Sequence, residues 1–388
     1  MKHILVVGAG ISGITVCYWL KKFGFLPTLI EKNDCLRTGG HAVDIRSPAV
    51  GIIKEMRLYE EIFNMRAQIE DHYHVDAANN VLSESHGEET GFNHGDDIEI
   101  VRGDLLLVLM DSIKGIPCYF GKTITQIKQH EKNVEVTFND DKTEYYDLII
   151  GADGLHSSTR QIAFAKDEWD LINLNSYIGI FSIPNYLGLR KSEIDFEADS
   201  RLISVTAFND RHIDKAIVAF SFSCDEKLNN TRDEMEQKNL LKSRFMDMGW
   251  EVNKLLQLME SSDDFYFDNA KQVHMKSWTK GRIALVGDAG YCATPLSGQG
   301  ANQAIIGAYL LALELNRSVD NYSVAFERYN KLLRPYVEAN HDLSLWVSKM
   351  YFLPDNVSKV EIELRMNKIK EKLQIASNAI KLPNAFWR

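Results

Sequence analysis

Several features are missing from this chain, and each absence removes a class of protein. No run of about 18 consecutive apolar residues occurs, so no membrane-spanning helix is expected. The amino terminus, MKHILVVGAG, enters a strand pattern at once. It lacks the longer apolar stretch and small-residue cleavage site of a secretory leader, and a cytoplasmic protein is expected. The five cysteines, Cys17, Cys35, Cys118, Cys224 and Cys292, are scattered without a C-x-x-C pair. That excludes a disulfide frame and a zinc site, and they read as small buried hydrophobes in a reducing compartment. There is no Lys/Arg run, and the net charge of -10 disfavours nucleic acid and anionic membrane as partners. No Ser/His/Asp or Cys/His set stands out, so no catalytic side chain and no metal ligand is nominated. Internal repeats and low-complexity linkers are also absent. A monomer is expected.

What remains is ordinary globular composition, 45% hydrophobic and 25% charged, over 388 residues, enough for a sizeable core and two domains. The first 32 residues spell a βαβ unit. Ile4 to Val7 is a continuous apolar run, as in a parallel strand buried on both faces. Gly8-x-Gly10-x-x-Gly13 turns the chain into a helix ending at Gly24, and Pro27 to Ile30 reads as the next strand. In that motif Gly8 allows the tight turn, Gly10 lets the backbone approach a pyrophosphate, and Gly13 lets helix and strand pack closely. The helix opening, with Ile11 and Ser12, presents free N–H groups and a positive dipole to the anion. Glu31 closes the second strand, followed by Lys32. A carboxylate there accepts both hydroxyls of an adenosine ribose and argues against a 2′-phosphate at this site.

A helix is expected after Arg102, from about residue 100 to 120, then strands at Val134 to Phe138 and Tyr146 to Ile150. The turn Gly151-Ala-Asp153-Gly154 follows, with Ser157 and Arg160 behind it. From about 170 to 275 short alternating runs, such as Leu202 to Phe208 and Ala216 to Phe222, indicate an antiparallel sheet, with helix within 227 to 260. A strand at Ile283 to Val286 ends in Gly287-Asp288, where an aspartate can bind a polyol hydroxyl. The loop Pro295-Leu-Ser-Gly298-Gln-Gly300-Ala301-Asn302 opens a helix whose N–H groups suit a phosphate or a ring developing negative charge. Beyond Pro335 the chain reads as helical, with Asp355 and Asn356 as caps and Met366, Ile369, Leu373, Ala376 and Ile380 on one stripe.

These three motifs, in this order, resemble the FAD-dependent aromatic hydroxylases of the para-hydroxybenzoate hydroxylase type, over about residues 1 to 330. The resemblance implies that Glu31 binds the adenosine ribose, Asp288 the ribityl chain and Gly298 to Asn302 the pyrimidine edge of the flavin. It also implies that the Asp153-Gly154 turn serves both FAD and incoming NADPH. Two departures stand out: Gly290-Tyr291 where the family has Ala-His, and Gly307 where it often has an acid. Arg37-Thr-Gly-Gly40-His-Ala-Val-Asp44-Ile-Arg46 and Val101-Arg102-Gly-Asp104-Leu resemble the tetracycline destructases, as do Tyr177 to Gly188, Met275 to Arg282 and the C-terminal extension. That likeness implies Arg37, Asp44, Arg102 and Asp288 as cofactor contacts. The two arginines suit phosphate or flavin carbonyls by their forked donors. Arg201, Phe220 and Phe222 are expected in the substrate pocket, and His212 at a hairpin tip.

The implied fold is α/β: a Rossmann-type FAD-binding domain (1–170 and 276–335), an antiparallel-sheet substrate domain (171–275), and C-terminal helices (336–388) bridging the two. The implied activity is inactivation of tetracyclines by hydroxylation, through a flavin C4a-hydroperoxide formed from NADPH and O2. A hydroxylase of another phenolic or polyketide metabolite, a flavin-dependent dehydrogenase or reductase, and a non-catalytic FAD module stay open as alternatives. A single dinucleotide fingerprint argues against a second nicotinamide-binding domain.

Overall fold

The amino-terminal apolar run forms the strand His3–Val7, buried from Ile4 onward, at the centre of a parallel sheet. Burial on both faces is what an uninterrupted aliphatic run requires. A computed structural model of the chain describes residues 1–37, 39, 41–87, 95–224, 233–319, 321–350 and 358–383. Among these, the sheet has the order Thr279–Lys280, Ile283–Leu285, Leu148–Gly151, His3–Val7, Leu26–Ile30, Cys118–Tyr119. All neighbours are parallel except the outer hairpin pair Thr279–Lys280 and Ile283–Leu285. The first helix, Ile11–Lys22, and the helix Gly300–Arg317 pack together against it, the latter buried almost throughout.

The second layer is a seven-stranded sheet in the order Tyr266–Met275, Trp169–Pro184, Lys215–Ser223, Arg201–Ala207, Ser192–Ala198, Asp71–Val75, Val81–His86. It is antiparallel except where Ser192–Ala198 meets Asp71–Val75. Two of its strands, Asp71–Val75 and Val81–His86, come from inside the segment expected in the FAD-binding domain and join this sheet instead. The helices Glu234–Phe245 and Val252–Glu260 cover one face. They approach so closely that a Cβ on Gly179 would lie 2.4 Å from Leu241 Cδ1. A two-stranded ribbon, Ala42–Ile45 with Ile98–Val101, packs on the other face through Ala42, Val101 and Ile217.

The expected helix after Arg102 spans Arg102–Ser112 and ends earlier than the sequence indicated, because Cys118–Tyr119 is needed as the sheet's edge strand. The C-terminal segment is helical as expected. Tyr322–Met350 carries Pro335 in its interior, and Lys359–Asn378 folds back on it. Ile369 and Ala376 bury against Leu343, with Met366 and Leu373 alongside, and Ile380 reaches the main core. The expected caps Asp355 and Asn356 lie outside the described residues; the Ser358 side chain accepts from Glu361 N instead. No helix among the described residues is long and apolar enough to cross a membrane.

Candidate cofactor site

The glycines of the first turn divide by what surrounds them. Gly8, at φ +105°, donates to Ile30 O at 2.7 Å, and a Cβ there would lie 2.5 Å from Ala152 O. At Gly13 a Cβ would lie 1.9 Å from Gly8 O. Both are dictated by packing within the fold. A Cβ on Gly10 would meet nothing within 4 Å, and the helix that Gly10 opens has no side-chain cap. Open space in front of uncapped N–H groups is what an anion needs. Gly300 repeats the arrangement at the head of the second buried helix: open space and no side-chain cap.

Glu31 organises the turn from the end of its strand. Its carboxylate accepts from Ala9 N at 2.9 Å and from Asn33 N at 3.0 Å. Lys32 and Arg37 are exposed beside it, and Gly40 lies outside the described residues. Arg102 donates to the carbonyls of Arg37 and Gly39, at 3.2 and 3.4 Å. Burial lowers the Arg102 pKa, with Arg37 acting in the same direction and Asp288 and Glu31 opposing. Four residues spread over more than 250 positions thus share one electrostatic neighbourhood.

That neighbourhood is a cleft. Asp288, His41 and Tyr266 all keep accessible surface, yet protein encloses each on most sides. Enclosure raises the Asp288 carboxyl despite the pull of Arg102, and lowers His41 to about 4, with Arg102 adding to the effect. Glu99, across the ribbon from Asp44, is pushed up to about 8 by burial first and then by Asp44 and Glu193.

Asp44 pairs with Arg46 at 2.8 Å. Arg46 in turn donates through Nη1 to Gly298 O at 3.0 Å and through its backbone N–H to Asn302 Oδ1 at 2.8 Å. Asn302 Nδ2 donates to Gln299 Oε1 at 2.8 Å, and Gln299 reaches Ser377 of the last helix at 3.5 Å. The loop Pro295–Asn302 is therefore held by the ribbon and touched by the C-terminal extension. Thr294, at φ +83°, and Gly298, at +61°, give it its shape. Gly287, at +65°, brings the Asp288 turn onto the first helix; a Cβ there would lie 2.1 Å from Ser12 Oγ. Arg160, fully buried, donates to Ala289 O and Leu155 O at 2.7 and 2.6 Å, joining the second motif to the third.

Asp153 lies against the glycine turn, where a Cβ on Gly8 would come within 2.9 Å of its Cα, and its carboxylate accepts from Ser157 Oγ, Ser158 Oγ and Thr159 N and Oγ1 at 2.5–3.0 Å. Some expected pocket residues are placed elsewhere. Phe220 and Phe222 do not wall a pocket. They are 0% and 1% exposed and stack on Phe181 and Tyr177 under the helix layer. Arg201 shares that face, tied to Asp247 at 2.6 Å, Asp199 at 3.0 Å and the Arg244 carbonyl. Strand alternation is the physical reason: the open face carries the opposite parity, Leu202, Ser204, Ile217 and Ala219, which are partly exposed. His212 is at the hairpin tip as expected and bonds Asp104 at 2.8 Å. Cys35 is exposed, unlike the other cysteines.

Arg46 and His41 stand in the segment that resembles the tetracycline destructases without an expected contact of their own, and nothing in the sequence marks Glu99 or Tyr266. For Arg46 the Asp-x-Arg spacing at the end of the strand Ala42–Ile45 was a usable signal, since extended spacing puts both side chains on one side. The two departures from the family pattern prove to be one feature: a Cβ on Gly307 would lie 1.9 Å from Tyr291 Oη. The tyrosine occupies the room that glycine vacates.

Two uncapped helix openings, a glycine turn built against a parallel strand, and a cleft lined by Arg102 and Asp288 together form a dinucleotide site suited to a flavin. The FAD-binding-domain family model matches residues 1–342, and the chain belongs to that family, among its flavin-dependent monooxygenases. A flavin-dependent monooxygenase of Legionella longbeachae serogroup 1 (strain NSW150) is 50% identical over 380 residues, spanning 98% of this chain and 97% of that one. The crystal structure of tetracycline destructase Tet(51) is similar at TM-score 0.92 and 51% identity, covering 99% of this chain and 100% of the other. That of Tet(55) matches at 0.91 and 47%, covering 99% of each.

Proposed function

We propose that the chain is an NADPH-consuming monooxygenase that hydroxylates tetracyclines and so inactivates them, acting as a cytoplasmic monomer. The observation that carries this reading is the full-length similarity to Tet(51), whose name states its substrate class, at TM-score 0.92. FAD, when bound and reduced, supplies the oxygen activation that no amino-acid side chain can provide.

In this reading Gly8, Gly10, Ile11, Ser12 and Gly13 hold the pyrophosphate, and Glu31 and Lys32 the adenosine ribose. Arg37, Gly40, Asp44, Arg102, Gly287 and Asp288 line the cofactor's middle, and Pro295, Gly298, Gly300, Ala301 and Asn302 meet the ring. Arg46 keeps that loop in register. The open sheet face at Leu202, Ser204, Ile217 and Ala219 receives the substrate, and enclosure of the cleft excludes water. Residues 171–275 together with 71–86 act as the substrate domain, and the last helix covers the site through Gln299.

The test is the purified, FAD-loaded protein with NADPH, air and tetracycline. The expected outcome is NADPH oxidation and oxygen uptake stimulated by tetracycline, with a product one oxygen atom heavier. NADPH oxidation without oxygen insertion into tetracycline would move the assignment to another phenolic substrate. Substrate oxidation with no mass gain would make the chain a dehydrogenase.

A further inference from the structure

The strand Asp71–Val75 carries His72 and His74 on one face, two residues apart. Its parallel neighbour Ser192–Ala198 sets Glu193 opposite His72 and Asp195 opposite His74. The pairing makes a two-by-two block of imidazoles and carboxylates on the sheet face away from the helices. One ligand atom each from His72, His74 and Asp195 lie within 4.8 Å of one another. Asp195 Oδ2 is 3.0 Å from His72 Nε2 and 3.8 Å from His74 Nε2, and Glu193 Oε1 is 3.7 Å from His72 Nε2.

We propose that His72, His74 and Asp195 form a binding site for a divalent transition-metal ion, with Glu193 as a fourth donor. Imidazole nitrogen with carboxylate oxygen is the donor set that zinc takes, and after His72, His74 and Asp195 the fourth coordination position falls to Glu193. The carboxylates are already oriented from behind: Ser204 Oγ donates to Asp195 Oδ1 at 2.5 Å, and Thr206 Oγ1 to Glu193 Oε2 at 2.6 Å. Such outer hydrogen bonds fix which oxygen faces an ion. Charge argues the same way. Asp195 is 8% exposed and the Glu193 side chain beside it is half-buried, so two carboxylates share a partly desolvated place that a dication would relieve. His74, with a side chain 40% exposed, leaves the site a route to solvent. The site stands whether or not tetracycline is the substrate.

The experiment is calorimetric titration of chelator-treated, FAD-loaded protein with zinc sulfate. One equivalent is expected to bind. His74→Ala and Asp195→Asn should weaken binding by more than about 100-fold, and Ser204→Ala by roughly tenfold. His86→Ala, an exposed imidazole on the next strand, should leave it unchanged. Flavin absorbance and circular dichroism report folding, and if Asp195→Asn fails to fold, the exposed His74→Ala decides alone. Absence of zinc binding by the wild type, or equal affinity in His74→Ala, overturns the site.

Discussion

Gly10 and Gly13, three residues apart in the same turn, differ in what surrounds them. At Gly13 the clash is with the protein itself, so Gly13→Ala should destabilise the fold by roughly 3 kcal/mol or more and lower the apoprotein Tm. At Gly10, φ −83° suits any residue and the Cβ meets nothing. Gly10→Ala should therefore leave the apoprotein Tm unchanged while weakening FAD more than about tenfold, because the methyl occupies the pyrophosphate approach. Apoprotein melting and FAD titration separate the two; equal Tm losses would remove the distinction. Glu99 gives a pH signature. Its carboxyl is raised to about 8 in the fold by burial and by Asp44 and Glu193. A raised acid binds more protons folded than unfolded, so its contribution is complete below about pH 4.5 and is lost as pH rises through about 8. The Tm of Glu99→Gln relative to wild type should then climb between about pH 5 and pH 9. A constant difference across that range would contradict the shift.

At the scale of elements, what the sequence made legible followed from local rules. A glycine turn between an apolar run and a helix, ended by Glu31, has a single structural solution, so the first strand, helix and second strand could be read directly. The Asp288 turn and the Pro295–Asn302 loop were readable for the same reason. Parity on the seven-stranded sheet was not. Phe220 and Phe222 alternate with Ala219 and Ser221, and only the helices Glu234–Phe245 and Val252–Glu260, packed on one side, decide which set is core. Recruitment of Asp71–Val75 across more than a hundred residues was equally invisible, because strand pairing at that distance leaves no local pattern. The Gly307 and Tyr291 pair belongs here too, since it couples two helices that the sequence presents separately. Gly307→Ala should cost about 1–3 kcal/mol by overpacking against the Tyr291 hydroxyl. Combining it with Tyr291→His, which withdraws that hydroxyl, should recover part of the loss, a coupling of about 1 kcal/mol or more in a double-mutant cycle read by denaturant melts. Strict additivity would show that the clash is relieved elsewhere.

Across the whole molecule, the cofactor cleft is assembled from parts that share no continuous scaffold. The first turn comes from the parallel sheet, Arg102 and Asp44 from the ribbon and its following helix, and Asn302 from a buried helix. Arg46 ties the ribbon to that helix, Asn209 donates to Arg66 O at 2.7 Å, and the last helix closes over the loop through Gln299. The residues proposed to hold FAD all lie before residue 303, whereas the last helix contributes Ile369 and Ala376 to packing and Ser377 to the loop contact, with Ile380 packing just beyond its end. Removing residues 356–388 should therefore expose Leu343 and its neighbours and lower the Tm, while FAD remains bound at one per chain. Because Gln299 would lose its contact within the loop proposed to meet the ring, KM for the substrate should rise several-fold with a smaller change in kcat. Flavin content, melting and steady-state kinetics on the truncated protein measure the three effects separately. An unchanged KM would reduce the helix to a cover for the core, and loss of flavin would show that the loop Pro295–Asn302 depends on it to hold its shape.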